Sequence, residues 1–301
     1  MDALVLLGAG ASYGSGDVMP YPPPLGNGYR GLFARLEEHS QLARRLPASL
    51  KEKFRNNFEQ GMAEYYEFAD GDIMAFQRHL ALYLARFKPG WIKNIYRDLL
   101  RDTRVADVVF ASLNYDLLLE LSAHSIGIEV AYGLERLEGC IRLLKPHGSS
   151  NFWPVISGTL RRVTFSRNGG GDISAPVRPL DQATTIQRCI LEDSVAPAIA
   201  IYAEGKDVRV CPEFVRHQQE QFRQAASDSP RIFISGVRVQ ESDTHIWGDA
   251  LTKVDGDVTY FGLDGDAAAF SSWKEKSGKR NVYFIKADFA GARKIIAERL
   301  K

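Results

Sequence analysis

The 301-residue chain has only three cysteines, Cys140, Cys189 and Cys211, far apart and without a C-x-x-C pair. Neither a disulfide framework nor a four-cysteine zinc site can be assembled from them, and they read as buried thiols in a reducing compartment. No metal site is expected. No apolar run approaches the ~20 residues that cross a bilayer. Met1-Asp2-Ala3 leads straight into Leu4-Val5-Leu6-Leu7, without the basic flank of a signal peptide. The reading is of an unprocessed, soluble, cytoplasmic protein. An excess of either charge is also missing. Lys plus Arg number 38 against 37 Asp plus Glu, which gives no global field for nucleic acid or anionic lipid and leaves room only for a local basic cleft. Internal repeats and low-complexity tracts are absent.

What remains is an ordinary globular composition, 45% hydrophobic and 25% charged, in a chain long enough for one large α/β domain spanning 1–301. Short apolar runs of strand length recur at Ala3 to Leu7, Ala106 to Leu113, Ile141 to Lys145, Val208 to Cys211, Arg231 to Ser235, Val258 to Phe261 and Asn281 to Ile285. Runs of this kind, separated by stretches long enough for helices, predict a doubly wound, Rossmann-like parallel sheet. The first gap is long. Its four prolines between Met19 and Leu25 fit an extended loop, and the helical spacing of Leu32, Leu36, Phe54, Phe58, Met62 and Tyr65 predicts an inserted helical module over 29–105. Within it, three or four helices are expected, punctuated by Pro47 and Gly71 and closed by Pro89-Gly90. A second insertion, Ser157 to Thr185, carries Gly169-Gly170-Gly171 and reads as a mobile loop beside the site.

Four strand-end motifs carry chemistry. Gly8-Ala9-Gly10-Ala11-Ser12 follows the first strand. Glycines there either let the backbone approach a pyrophosphate or serve a tight turn for steric reasons alone. The motif departs from G-x-G-x-x-G, since Tyr13 stands at the third glycine position, and no strand-ending acid follows about 20 residues on; hydride transfer is disfavoured. Asn114 and Asp116 follow the Ala106 to Leu113 run, where one residue of the pair can cap a helix while the other faces a ligand. Lys145-Pro146-His147-Gly148-Ser149 places an imidazole past a strand, where it can take a proton near neutral pH while Gly148 admits a ligand. His39, His79, His124 and His217 lie in helix-like sequence, and His245 is ambiguous. Ser235-Gly236 ends another strand, with Asp243 beyond it as a ligand group or a helix cap.

In this order the motifs resemble the sirtuin-like domains of bacteria, especially those of antiphage defence systems that destroy NAD. The resemblance runs from Leu4 to about Asp264. It implies that Gly8, Gly10 and Ser12, with Ala9 and Ala11, contact phosphate; that Asn114 and Asp116 grip the nicotinamide ribose and carboxamide; and that His147 is the catalytic histidine. Ser235 and Gly236 match a Gly-Thr-Ser stretch near the nucleotide only loosely. Leu113 replaces the Gln of protein-deacylating sirtuins, and their zinc ribbon is missing. The implied activity is hydrolysis of NAD to nicotinamide and ADP-ribose. Asn114 would orient ribose or water, His147 would act as general base, and Asp116 would hold the carboxamide. NAD-dependent lysine deacylation and a non-catalytic ADP-ribose-sensing module are the alternatives. The toxicity of a free NAD hydrolase implies gating by a homo-oligomer or a separate sensor protein, with no nucleic-acid or membrane partner.

Overall fold

The computed structural model describes residues 1–157, 172–200, 208–240 and 243–301. Its centre is a seven-stranded sheet made of β1 (Ala3–Leu7), β2 (Val108–Ser112), β3 (Glu129–Ala131), β4 (Cys140–Leu144), β5 (Arg231–Ser235), β6 (Asp257–Gly262) and β7 (Val282–Lys286). Every neighbouring pair is parallel, and the order is β7-β6-β5-β1-β2-β4-β3. All five residues of β1 and of β2 are buried. Helices therefore cover both faces, as unbroken apolar strands demand. Phe233 and Phe110 pack into one buried cluster, while Leu4, Val109, Ile232 and Tyr260 pack into the cluster on the opposite face.

The strand order reverses at β1. The chain builds outward through β2 and β4 on one side, then returns to lay β5, β6 and β7 on the other. Crevices at such a reversal, beyond the carboxyl ends of the strands, are where open α/β sheets hold ligands. The register makes these ends level, since Leu7 pairs with Ser112 on one side and with Ser235 on the other.

Between residues 29 and 87 lie five helices, Leu32–His39, Gln41–Arg45, Ala48–Asn56, Phe58–Phe68 and Met74–Ala85, where spacing suggests three or four. Pro47 and Gly71 do punctuate them. A stack of Phe33, Phe54 and Phe76 rings ties the module together, with centroids 4.4 and 5.2 Å apart. Pro89-Gly90 does not close the module. Both residues lie in a strand, Lys88–Asn94, antiparallel to Gly16–Met19; proline is tolerated there because the pair is an isolated two-stranded ribbon.

Val208 to Cys211 is not a strand. Val210 makes a single bridge to Ile173, and Cys211, at φ +50°, turns the chain into the helix Pro212–Asp228. β3 was not foreseen. The Gly169-Gly170-Gly171 stretch lies outside the described residues, whereas the end of that predicted insertion forms the strand Val177–Pro179 and begins the helix Gln182–Leu191. Among the described residues, no helix is long and apolar enough to cross a membrane.

Candidate active site at the carboxyl edge of the sheet

The turn after β1 packs directly on the turn after β5. Gly8 N–H donates to Ser235 O at 3.0 Å, and Gly10 N–H donates to Gly236 O at 2.9 Å. A Cβ on Gly8 would stand 2.4 Å from Gly236 O, and one on Gly10 2.8 Å from Gly236 Cα. Both glycines thus have a steric reason, the close approach of the two turns. Gly236 has one as well, with φ +69° and Ala11 N 2.1 Å from a Cβ built there. Ala11 N–H returns to Gly8 O, starting the short helix Ala9–Tyr13. Ala9 is exposed and Gly10 half-buried, whereas Ala11, Ser12 and Ser235 are buried.

Asn114 reaches back to this turn. Its side-chain amide donates to Gly8 O and to Ser12 Oγ, both at 2.9 Å. Ser12 Oγ also bonds the hydroxyl of Tyr96, at 2.9 Å. Tyr96 comes from the helix Ile95–Thr103 and is fully buried; burial, and then the charge of Asp116, hold its phenol well above the usual range. Sequence reasoning missed Tyr96, because an aromatic on an amphipathic helix reads as core.

Asp116 stands just before Leu117, the N-cap residue of the next helix. Its Oδ1 accepts Leu118 N–H at 3.0 Å at the start of the helix Leu118–His124. Burial raises its carboxyl above the ordinary range, against the opposing charge of Lys145, the Leu118 amide and the Ser12 hydroxyl. Lys145 is completely buried; its Nζ donates to Asp116 O and pairs with Glu120 Oε1, each at 3.0 Å. This lysine ties the loop after β4 to the loop after β2. Three further bonds do the same, one directly and two through Ala200: Ser150 N–H donates to Tyr115 O at 3.1 Å, and the Ala200 carbonyl accepts from Tyr115 Oη while its N–H donates to His147 O.

Gly148 has a steric reason of its own. Its φ is +76°, and a Cβ would lie 2.0 Å from Ala198 O, so a strand-like approach of residues 198–200 explains the residue. His147, next to it, is buried, with Nε2 3.0 Å from His245 Nε2 and 3.6 Å from Asp243 Oδ1. Asp243 is no side-chain cap; its carbonyl receives the amides of Ile246 and Trp247 at the start of a π-helical turn, Thr244–Ala250. Sequence left His245 ambiguous, since nothing local signals a partner 98 residues away.

No family model matches the sequence, and no curated protein matches it. Solved structures similar to the chain include a Sir2 homologue in complex with NAD, at 16% identity over 99% of this chain and 89% of that one, TM-score 0.47. Another is a mutant Sir2 homologue bound to ADP-ribose, at 14% identity over 99% and 91%, TM-score 0.48. The fold itself rests on the strand order and register.

Proposed function

We propose that the chain hydrolyses the nicotinamide–ribose bond of NAD, releasing nicotinamide and ADP-ribose. The observation that carries this reading is the convergence of motifs on one edge of the sheet. Level strand ends bring Gly8–Ser12, Asn114, Asp116 and Ser235-Gly236 to the reversal point, and Lys145 and Ala200 lace the His147 loop to them. The Ala9-Gly10 turn, exposed at Ala9 and backed by Ser12, would lie along the pyrophosphate. With its amide hydrogens engaged by Gly8 and Ser12, Asn114 has its Oδ1 left to accept from a ribose hydroxyl or the attacking water. His147 takes the proton of that water as its oxygen bonds to the anomeric carbon and the nicotinamide nitrogen departs with the bonding pair. Asp116, buried beside Lys145, holds the loop and the carboxamide side of the pocket. Nicotinamide already leaves as a neutral base from a cationic ring, so positioning counts for more than a strong acid.

The reading extends to the setting. An NAD-depleting effector of bacterial antiphage defence, held inactive by a homo-oligomer or a separate sensor protein, fits the toxicity of the reaction. The 29–105 module, on which Trp91 and Ile92 stand exposed, would be its control surface. Incubating the purified protein with NAD tests the activity: nicotinamide and ADP-ribose in equal amounts support it. O-acyl-ADP-ribose formed only with an acylated peptide would replace it with deacylation. Intact NAD alongside tight ADP-ribose binding would replace it with a sensing module.

A further inference from the structure

We propose that His147, His245 and Asp243 form a binding site for one divalent transition-metal ion of the zinc class, and that the bound ion blocks turnover by occupying His147 Nε2. The first half stands on geometry alone; the second rests on the function proposed above.

The two imidazole Nε2 atoms face each other at 3.0 Å, Asp243 Oδ1 lies 3.6 Å from His147 Nε2, and one donor atom from each residue falls within 4.8 Å of the others. Bonds of about 2.0–2.2 Å to a zinc ion place its ligand atoms about 3–4.4 Å from one another, and the two distances from His147 Nε2, 3.0 Å to His245 and 3.6 Å to Asp243, fall in that range. The donor types match as well. Two imidazoles and a carboxylate suit a borderline-soft divalent cation, and three protein ligands leave a coordination position for water.

The ligand loops are shaped independently of any ion. His147 is held by the Ala200 N–H on its carbonyl and by the positive φ of Gly148. Asp243 is held by its N–H to Gln240 O at 3.2 Å and by the two amides on its carbonyl, and His245 by the π-helical turn. Such turns recur at functional sites. His147 and Asp243 are buried while His245 is half-buried, so an ion enters from the His245 side.

The test titrates the chelator-treated full chain with zinc in a calorimeter, and with cobalt(II) followed by its visible absorption. The expected result is one ion per chain, with nitrogen-ligated cobalt bands, and a loss of affinity of at least about 100-fold in both His245→Ala and Asp243→Asn. His124→Ala, which alters a surface histidine 3.5 Å from Glu129, retains wild-type affinity. Absence of binding, or undiminished binding by His245→Ala and Asp243→Asn, overturns the site. For regulation, zinc inhibits NAD cleavage by the wild type, and the half-inhibiting concentration rises in His245→Ala by the same factor as the dissociation constant. Undiminished turnover at saturating zinc overturns the inhibition while leaving the site. A chain without turnover fails the hydrolase reading, and the titrations still decide the site.

Discussion

The side-chain amide of Asn114 donates to the Gly8 carbonyl and to the Ser12 hydroxyl, each at 2.9 Å, and so bolts the loop after β2 to the turn after β1. Asn114→Asp cannot make these donations and sets a carboxylate against a carbonyl. It should cost about 1–3 kcal/mol of stability and lower NAD cleavage at least about 100-fold. Urea unfolding and a nicotinamide assay check both numbers; full activity in Asn114→Asp would refute the role of its amide.

The buried Lys145–Glu120 pair joins the loop after β4 to the helix Leu118–His124. Lys145→Met leaves the Glu120 carboxylate without its cation and should destabilise the protein by about 3–5 kcal/mol, whereas Lys145→Met with Glu120→Leu should recover much of that loss. Equal unfolding midpoints for Lys145→Met and wild type would show that the pair contributes nothing.

Gly236 and Gly127 both have positive φ, +69° and +74°, but only Gly236 has backbone against its missing Cβ. Gly127→Ala should cost about 1–2 kcal/mol, the ordinary penalty of the left-handed conformation. Gly236→Ala should cost distinctly more and disturb the Gly8–Ser12 turn, which thermal unfolding of the two variants side by side would reveal.

Burial pushes the Cys189 thiol up to about 12 and raises that of Cys211, while Cys140 is only half-buried. Thiolate is the reactive form. A disulfide reagent at pH 8 should therefore titrate one thiol quickly in the native protein and all three after denaturation. Rapid native labelling of Cys189 would contradict the packing around it.

Much of the fold is legible in the sequence, because a strand buried on both faces must be apolar at every position. Ala3 to Leu7 and Arg231 to Ser235 were recognisable to the residue. β3 escaped because a three-residue edge strand, half exposed, has no such run. Val208 to Cys211 misleads for the converse reason: it is buried and apolar, yet belongs to a loop packed with Met74, Phe152 and Ala198 away from the central sheet. At the site, strand-end position exposed Asn114, Asp116 and His147. Tyr96, Asp243 and His245 join them only through long-range folding. The glycines Gly8, Gly10 and Gly148 were conspicuous, but the backbones that require them come from residues far along the chain.

Tyr65, buried in the helical module, has its phenol pushed up to about 12, chiefly by burial, with the Asp72 charge adding and Arg78 opposing. The unfolded chain ionises near 10 while the folded one holds its proton, so this contribution is complete below pH 10 and lost as pH rises through about 12. Stability should fall by on the order of 2 kcal/mol from this residue across that window. Tyr65→Phe should flatten that part of the alkaline unfolding profile; an unchanged slope would contradict the assignment.

Nicotinamide release from NAD by the purified protein, in each oligomeric state it populates, tests the central claim most directly. Wild type should release nicotinamide and ADP-ribose in equal amounts. Asn114→Ala and His147→Ala, with unchanged circular dichroism, should release neither above background. Wild type that neither binds NAD nor cleaves it in any assembly, or either variant cleaving at the full rate, would contradict the account.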